Sequence, residues 1–353
     1  MKKTRKILAL VLAAMMLVGL TACGGGEEEK TPGSEVETNQ PAEEKAPADE
    51  LNGFPNKPVR VIIPYAAGGN SDLNARKLAE IIDKYDMLNG QQVVVTNIQG
   101  AATQEAFNAL MTADPDGYTL LLQHNAISTQ PAFGNVTFTM DDVDAVCQVL
   151  AQPWMLFADA DAPYNNTAEL IAYCEANPDE KLTLGLPGVG SSGQIGVEVY
   201  LDQTGLRDNV QFVYYGGGGD SMTGHLSGEC VLHGGFATDG MRYVESGDFK
   251  VIAVSGEECI PTLPDVECFG ELDFDTDYMT IQGLWTTKGT PKAVIDYLAE
   301  VFMAACDTPE YAEYLETSGC TYAVAGPEDW YAAMKQTDEV ICELVDRLDL
   351  AAK

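Results

Sequence analysis

From Phe54 onward, short apolar runs alternate with stretches of helical periodicity. Val59-Arg60-Val61-Ile62-Ile63 reads as a buried strand, and Leu78, Ile81, Ile82 and Tyr85 then recur at i, i+3, i+4, i+7 on one helix face. A second strand is expected over Gln92–Thr96, a helix around Thr103–Met111, and a third strand over Thr119–Leu122 after the turn Asp114-Pro115-Asp116-Gly117. This β-α-β-α-β order implies a mostly parallel sheet with helices on both sides. A second set follows: helix Thr167–Ala176, strand Leu182–Leu186, helix from about Ser192 to Gln203, strand Val210–Tyr214, helix near Asp220–Leu226 and strand Lys250–Val254. The tail carries a strand near Thr280–Trp285 and a helix opening at Thr290-Pro291, read as a capping residue with Pro at the first helical position. Val294, Tyr297, Leu298, Val301, Phe302 and Ala305 line one face of that helix, and a last helix runs from Gly326-Pro327 to about Leu348.

Two α/β units joined by strand-like crossings predict two lobes with a cleft between them: residues 53–153 with 281–353 as lobe 1, and 154–280 as lobe 2. In open parallel sheets, ligands sit at the carboxyl ends of the strands. The glycine-rich turns of this chain fall at those ends.

Ahead of the folded part the pattern changes. Lys2, Lys3, Arg5 and Lys6 precede the uncharged apolar run Ile7–Leu20, which ends in Leu20-Thr21-Ala22-Cys23. The run is short for a spanning helix and small residues precede the single Cys, so residues 1–22 read as a signal peptide. The tetrapeptide resembles a bacterial lipobox, which makes Cys23 the expected lipidated N-terminus and places the protein outside the cytoplasm on the membrane surface. Residues 23–52 then hold many acids and almost no large apolar side chains, the composition of an extended, disordered tether.

The chain holds 20 Lys and Arg against 54 Asp and Glu, a net charge of −34, and loss of the four basic residues of the leader takes it to −38. No basic face is left to neutralise a phosphate backbone, which argues against nucleic-acid binding. Of nine Cys, none forms a C-x-x-C pair or a zinc-spaced cluster with His, so no metal is expected. Cys174, Cys306 and Cys342 sit in helix-like apolar runs, as buried thiols do. Cys259 and Cys268 are spaced to bridge a surface loop, a pairing that spacing alone leaves open.

Three turns are candidates for chemistry. Pro64-Tyr65-Ala66-Ala67-Gly68-Gly69-Asn70-Ser71-Asp72 lies between strand and helix. Its glycines allow close backbone approach, and the N–H groups of the next helix's first turn favour a carboxylate or phosphate. Asn70 or Ser71 is the expected helix cap; a tight capped turn without a ligand is the alternative. Pro187-Gly188-Val189-Gly190-Ser191-Ser192-Gly193-Gln194 matches G-x-G-x-x-G between strand and helix. The next strand runs into Tyr214, Tyr215 and four glycines with no acid to hold a ribose, which disfavours a nicotinamide cofactor. Ser191 and Gln194 have capping-box spacing. The third turn is Tyr215 with Gly216–Gly219, where either a close ligand approach or a flexible loop accounts for so permissive a backbone. No nucleophile elbow, no H-E-x-x-H and no calcium loop is present, and His124, His225 and His233 are isolated, so no catalytic residue is assigned.

The lipobox-like leader, F-P-N-K-P-V-R-V-I-I-P-Y-A-A-G-G-N-S-D (Phe54 to Asp72), V-V-V-T-N (Val93 to Asn97), D-P-D-G-Y-T-L (Asp114 to Leu120), G-V-G-S-S (Gly188 to Ser192), G-D-F-K-V-I-A-V (Gly247 to Val254) and L-P-D-V (Leu263 to Val266), in that order, resemble the substrate-binding proteins of tripartite tricarboxylate transporters, the Bug-type receptors. The resemblance covers about residue 54 to the C-terminus. It implies an α/β, two-lobed, periplasmic-binding-protein-like (Venus flytrap) fold that closes on a small carboxylate and delivers it to membrane permease subunits, as a monomer without a cofactor. It also implies ligand contacts from Tyr65, Ala66, Ala67, Gly68, Gly69, Asn70, Ser71 and Asp72 on one side, and from Gly188, Gly190, Ser191, Ser192, Tyr215, Gly217 and Thr238 on the other. The chain departs from the family's usual residues at Gln194 (often His), Gly216 (often Lys) and Val231 (often Asp). The lost cation at Gly216 leaves the solute open. An α/β enzyme or nucleotide-binding protein using Gly188–Gly193, and a sensor serving a signalling partner, are the alternatives. A net charge of −38 opposes an anionic ligand at long range, but a Debye length of about 8 Å silences distant carboxylates inside a cleft.

Overall fold

The computed structural model describes residues 51–216, 218–260, 262–274 and 278–351. Cys23, the leader and the tether as far as residue 50 lie outside the described residues, as does Gly217, whereas Leu51 at the end of the expected tether packs against the core. No helix among the described residues is long and apolar enough to cross a membrane.

The first α/β set is β1 (Val59–Ile63), α1 (Asn70–Lys84), β2 (Val93–Asn97), α2 (Gln104–Met111), β3 (Thr119–His124) and α3 (Ala126–Ala132). A 17-residue strand, β4 (Val143–Asp159), leads to α4 (Thr167–Ala176), β5 (Leu182–Leu186), α5 (Ser192–Thr204), β6 (Val210–Tyr214), α6 (Gly218–Leu226), β7 (Leu232–Phe236), α7 (Ala237–Ser246), β8 (Phe249–Val254) and β9 (Glu267–Cys268). The chain ends with β10 (Met279–Thr287), α8 (Lys292–Cys306), α9 (Pro309–Ser318) and α10 (Pro327–Arg347).

The strands lie in the order β2-β1-β3-β10-β4-β7-β5-β6, with β8 also on β4. β1, β2 and β3 are mutually parallel, as are β5, β6 and β7. The mostly parallel expectation holds within each set and fails between them, because β10 and β4 run antiparallel to their neighbours. Strand β4 is the element that joins the two. Its residues up to Pro153 pair with β10, and from Trp154 it pairs with β7 and β8. Pro153 has no N–H to offer a ladder, and it sits where β4 changes partners.

One apolar cluster combines β1, α1 and α8 through Val61, Leu78, Ile82, Leu298 and Phe302. Another combines Trp154, Leu184, Ile195, Tyr200 and Leu232. Trp154 fits there because a Cβ on Gly196 would lie 2.4 Å from its ring. Helix α10 contributes Trp330 and Met334 to the face of β10 that holds Trp285, and Ile341, Leu344 and Val345 to the Trp154 cluster. Trp285 is fully buried beside Trp330 and serves as core packing.

Three local readings change, and one that the spacing left open is settled. Tyr85 is not on the buried face of α1; it is exposed as that helix's C-cap and donates to Glu310. Helix α8 starts at Lys292 with Pro291 as the N-cap, and the Thr290 hydroxyl turns back to the Thr287 carbonyl. Cys342 is exposed because the buried stripe of α10 runs through Ile341 and Val345, one step round the helix. Cys259 and Cys268 form a disulfide that closes the loop between β8 and β9.

Candidate functional site

The register brings the carboxyl ends of both parallel sets to one stretch of β4. His124 at the end of β3 pairs with Gln282, which pairs with Leu150, while Thr280 pairs with Gln152. From the other side, Phe236 at the end of β7 pairs with Trp154. The turns at these strand ends therefore converge on Leu150–Trp154 from both sets.

The first turn is held by side chains rooted in these strands. Tyr65 donates through its hydroxyl to Gln123 Oε1 at 2.7 Å, and its ring stacks on His124 at 5.0 Å. Asn70 Nδ2 donates to Gln152 Oε1 at 2.8 Å, and Ser71 Oγ accepts from Gln282 Nε2 at 2.7 Å. These contacts overturn the expected cap: Gly69 is the N-cap of α1, with no side-chain cap bond, and Asn70 and Ser71 are spent on strand glutamines instead. The N–H groups of Asn70, Ser71 and Asp72 thus open the helix without a capping side chain, the arrangement that favours an anion.

The Asp72 side chain organises the turn. Its side chain is buried and accepts from Gly68 N–H at 2.8 Å, Arg76 Nε at 2.9 Å and Asn97 Nδ2 at 2.9 Å. Burial alone would raise its pKa, but the bonds from Arg76, Gly68 and Asn97 outweigh it and hold the carboxyl below its usual range. An unpaired carboxylate here would repel an acid; the Arg76 guanidinium cancels that charge. Gly68 N–H is consumed by Asp72, and Gly69 N–H by the Ala66 carbonyl at 3.3 Å. Ala66, Ala67 and Gly68 are exposed at the tip, with Gly68 at φ +83°, a conformation costly to other residues.

The second turn closes on itself through a variant of the expected capping box. Ser191 caps α5 by accepting from Gln194 N–H at 3.2 Å, while Gln194 Oε1 accepts from Gly190 N–H at 2.8 Å. Gly190 is buried and its amide is used up, so it has no free N–H for a ligand. Its carbonyl accepts from Gln130 of α3 at 3.0 Å, and the Ser192 carbonyl accepts from Tyr278, just before β10, at 3.1 Å. Gly188, Ser191, Ser192 and Gly193 complete the turn and the opening of α5.

The rest of the expected set divides. The Tyr215 ring is directed inward, against Cys230 at 3.3 Å and where a Gly224 Cβ would stand, so only its backbone borders the glycine run. Thr238 is exposed on the first turn of α7. Burial lowers the pKa of His124, His225 and His233, the first two to about 4 and the third to about 3, so all three are neutral at pH 7. Ser221 Oγ lies 2.9 Å from His233 Nδ1, but both side chains are fully buried, out of a substrate's reach.

Sequence reasoning missed the amides that hold these turns: Gln123, Gln130, Gln152 and Gln282, all buried. The available signal was a Gln or Asn at the ends of strongly apolar strands, where a buried polar group needs a partner.

Residues 75–350 match the model of the tripartite tricarboxylate transporter family receptor. A UPF0065 protein from the gbd 5' region of Cupriavidus necator is 30% identical over 269 residues, covering 75% of this chain and 80% of the relative. The periplasmic binding protein BugD superposes with a TM-score of 0.73 at 29% identity, over 85% of this chain and 100% of BugD. Rpa4515 of R. palustris, solved with adipate, has the same fold, with a TM-score of 0.72 at 21% identity over 83% of this chain and 97% of that one. With its two parallel strand sets joined through β4 and β10, the chain is a periplasmic-type solute-binding receptor and belongs to the tripartite tricarboxylate transporter receptor family.

Proposed function

We propose that the protein captures a small carboxylate outside the cytoplasm, between a lobe of residues 53–153 with 281–353 and a lobe of residues 154–280, and presents it to membrane permease subunits. The observation that carries this reading is the double anchoring of the glycine turns. Tyr65–Asp72 is tied to Gln123, Gln152 and Gln282 of β3, β4 and β10, and Gly188–Ser192 to Gln130 of α3, the helix after β3, and to Tyr278, just before β10.

The ligand's carboxylate is held by backbone N–H groups of Asn70, Ser71 and Asp72 and of Ser192 and Gly193, with Tyr65, Ala66, Ala67, Gly188, Ser191, Tyr215 and Thr238 bordering it. A bond from an amide to a charged acceptor contributes about 1.5–3 kcal/mol, and each helix terminus about 0.3–1 kcal/mol. A few such donors suffice without a Lys or Arg. The adipate in the R. palustris neighbour supports a dicarboxylate among the candidates. Closure of the lobes on the ligand gives the form that the permease recognises. Cys23 anchors the monomer by its lipid, with residues 23–52 as the tether.

Thermal melting with a panel of mono-, di- and tricarboxylates tests the reading: a raised midpoint with a carboxylate supports it, and stabilisation by nucleotides alone favours an enzyme. Replacing Cys23 with Ser is expected to release the protein from the membrane fraction.

A further inference from the structure

Helix α5 carries an acid, Glu198, whose side chain is fully buried. Arg207, three residues beyond the end of the helix, reaches in to set its Nε 2.7 Å from Glu198 Oε2, while its guanidinium lies 4.5 Å over the Phe212 ring. Burial raises the Glu198 pKa, and the attraction of Arg207, with bonds from Gln194 and Arg207, opposes that rise. Asp202, the next acid along the helix, is engaged by Arg347 at 2.7 and 2.8 Å. A buried ion pair is often no more stabilising than apolar side chains of the same volume. Stability alone therefore does not account for Glu198.

Gln194 stands one turn earlier on the same face of α5. Its Nε2 donates to Glu198 and to the Tyr214 hydroxyl, the latter at 3.3 Å, and its Oε1 accepts from Gly190 N–H at 2.8 Å. A carboxylate only accepts, so it compels the Gln194 amide to turn its NH2 group inward and leaves the oxygen for Gly190. The opposite rotation would set an amide oxygen against a carboxylate and an NH2 group against the Gly190 N–H.

We propose that Glu198 and Arg207 are positioning residues for the ligand-binding turn Gly188–Ser192, acting on it through Gln194. Neither touches the acid. Arg207 holds Glu198 as a carboxylate, Glu198 orients the Gln194 amide, and Gln194 fixes Gly190, from which the N–H groups of Ser192 and Gly193 take their places at the start of α5. The inference rests on the receptor reading above and deepens it.

Calorimetry with succinate, malate, adipate and citrate, carried on with the tightest binder, tests this in Glu198→Gln, which exchanges one acceptor oxygen for a donor. Affinity is expected to fall about two- to tenfold. In a Gln194→Met background the same change is expected to cost nothing more, because the intermediary is gone. In protein labelled with 15N-glycine, hydrogen exchange at Gly190 is expected to quicken in Glu198→Gln while Gly185 of β5 keeps its rate. An unchanged affinity, an equal loss in both backgrounds, or exchange that quickens alike at Gly185 and Gly190 overturns the positioning role and leaves carboxylate capture standing. Should Glu198→Gln not fold, the half-exposed Arg207 decides: Arg207→Met is expected to lose affinity and Arg207→Lys, which keeps the cation, to retain most of it, and equal affinities in the two overturn the proposal. Failure of all four acids to bind the unaltered protein overturns the receptor reading and this inference with it.

Discussion

Gly319 and Ala237 touch across the long strand: Gly319 caps α9 beside β4, Ala237 opens α7 after β7, and a Cβ on Gly319 would come within 2.3 Å of the Ala237 Cβ. Gly319 also has φ +66°, so any side chain there is strained twice. Gly319→Ala is expected to cost about 2–4 kcal/mol in urea unfolding. Adding Ala237→Gly is expected to recover the part due to the clash and leave the part due to the backbone. Full additivity of the two changes would show that the contact does not matter.

Asp72 organises the first turn while keeping its charge away from a ligand. Its pKa is depressed in the folded state, so it contributes stability above the unfolded carboxylate value, about 3.9, and that contribution is lost as pH falls through the folded value. Asp72→Asn is expected to lower stability at pH 7 by about 1–3 kcal/mol and to flatten the acid limb of a stability curve taken below pH 4. A variant with an unchanged acid limb would contradict this.

Asp239 has the opposite sign. Burial lifts its pKa to about 6 against the bond from Phe236 N–H and the attraction of Arg242. The folded protein thus binds the proton more tightly than the unfolded chain, and stability declines as pH rises from about 4 to about 6. Asp239→Asn, whose side-chain oxygen can still accept from Phe236, is expected to remove that decline. Parallel melting curves of the two proteins across this window would refute the assignment.

The Cys259–Cys268 bridge closes a short loop. Replacing both with Ser is expected to cost about 2–3 kcal/mol through the freed unfolded chain, read as a lower denaturant midpoint. No change on reduction or replacement would mean that the loop is not constrained in solution.

Much of the architecture was legible because each parallel set carries its own periodicity. Thr167–Ala176, Leu182–Leu186 and Val210–Tyr214 begin and end where the apolar pattern says. Strand β4 was not legible: Gln148, Gln152 and Pro153 interrupt its apolar run, and only its change of partners explains why they are tolerated. Strand β7, Leu-His-Gly-Gly-Phe, has too few apolar residues to announce a strand, yet Gly234 is needed because a Cβ there would lie 2.2 Å from Val197. In the site, the glycine turns were visible as local signals. The fate of their polar side chains was not, because Asn70 and Ser71 bond to Gln152 and Gln282, residues distant in sequence that only the fold brings close.

Charge predicts the kinetics. A net charge of −34 for the full chain would repel an anionic ligand at distance, while in the proposed site short-range amides would decide the final affinity. The association rate is expected to rise with added salt in stopped-flow measurements. A rate that falls steeply with salt would reveal a cationic cleft.

The most direct test is a crystal structure of the protein with a bound carboxylic acid. Carboxylate oxygens about 2.7–3.2 Å from backbone nitrogens within Asn70–Asp72 and Ser192–Gly193 are the predicted result. An acid held by Lys or Arg side chains, or seated away from the Leu150–Trp154 stretch of β4, would contradict the account.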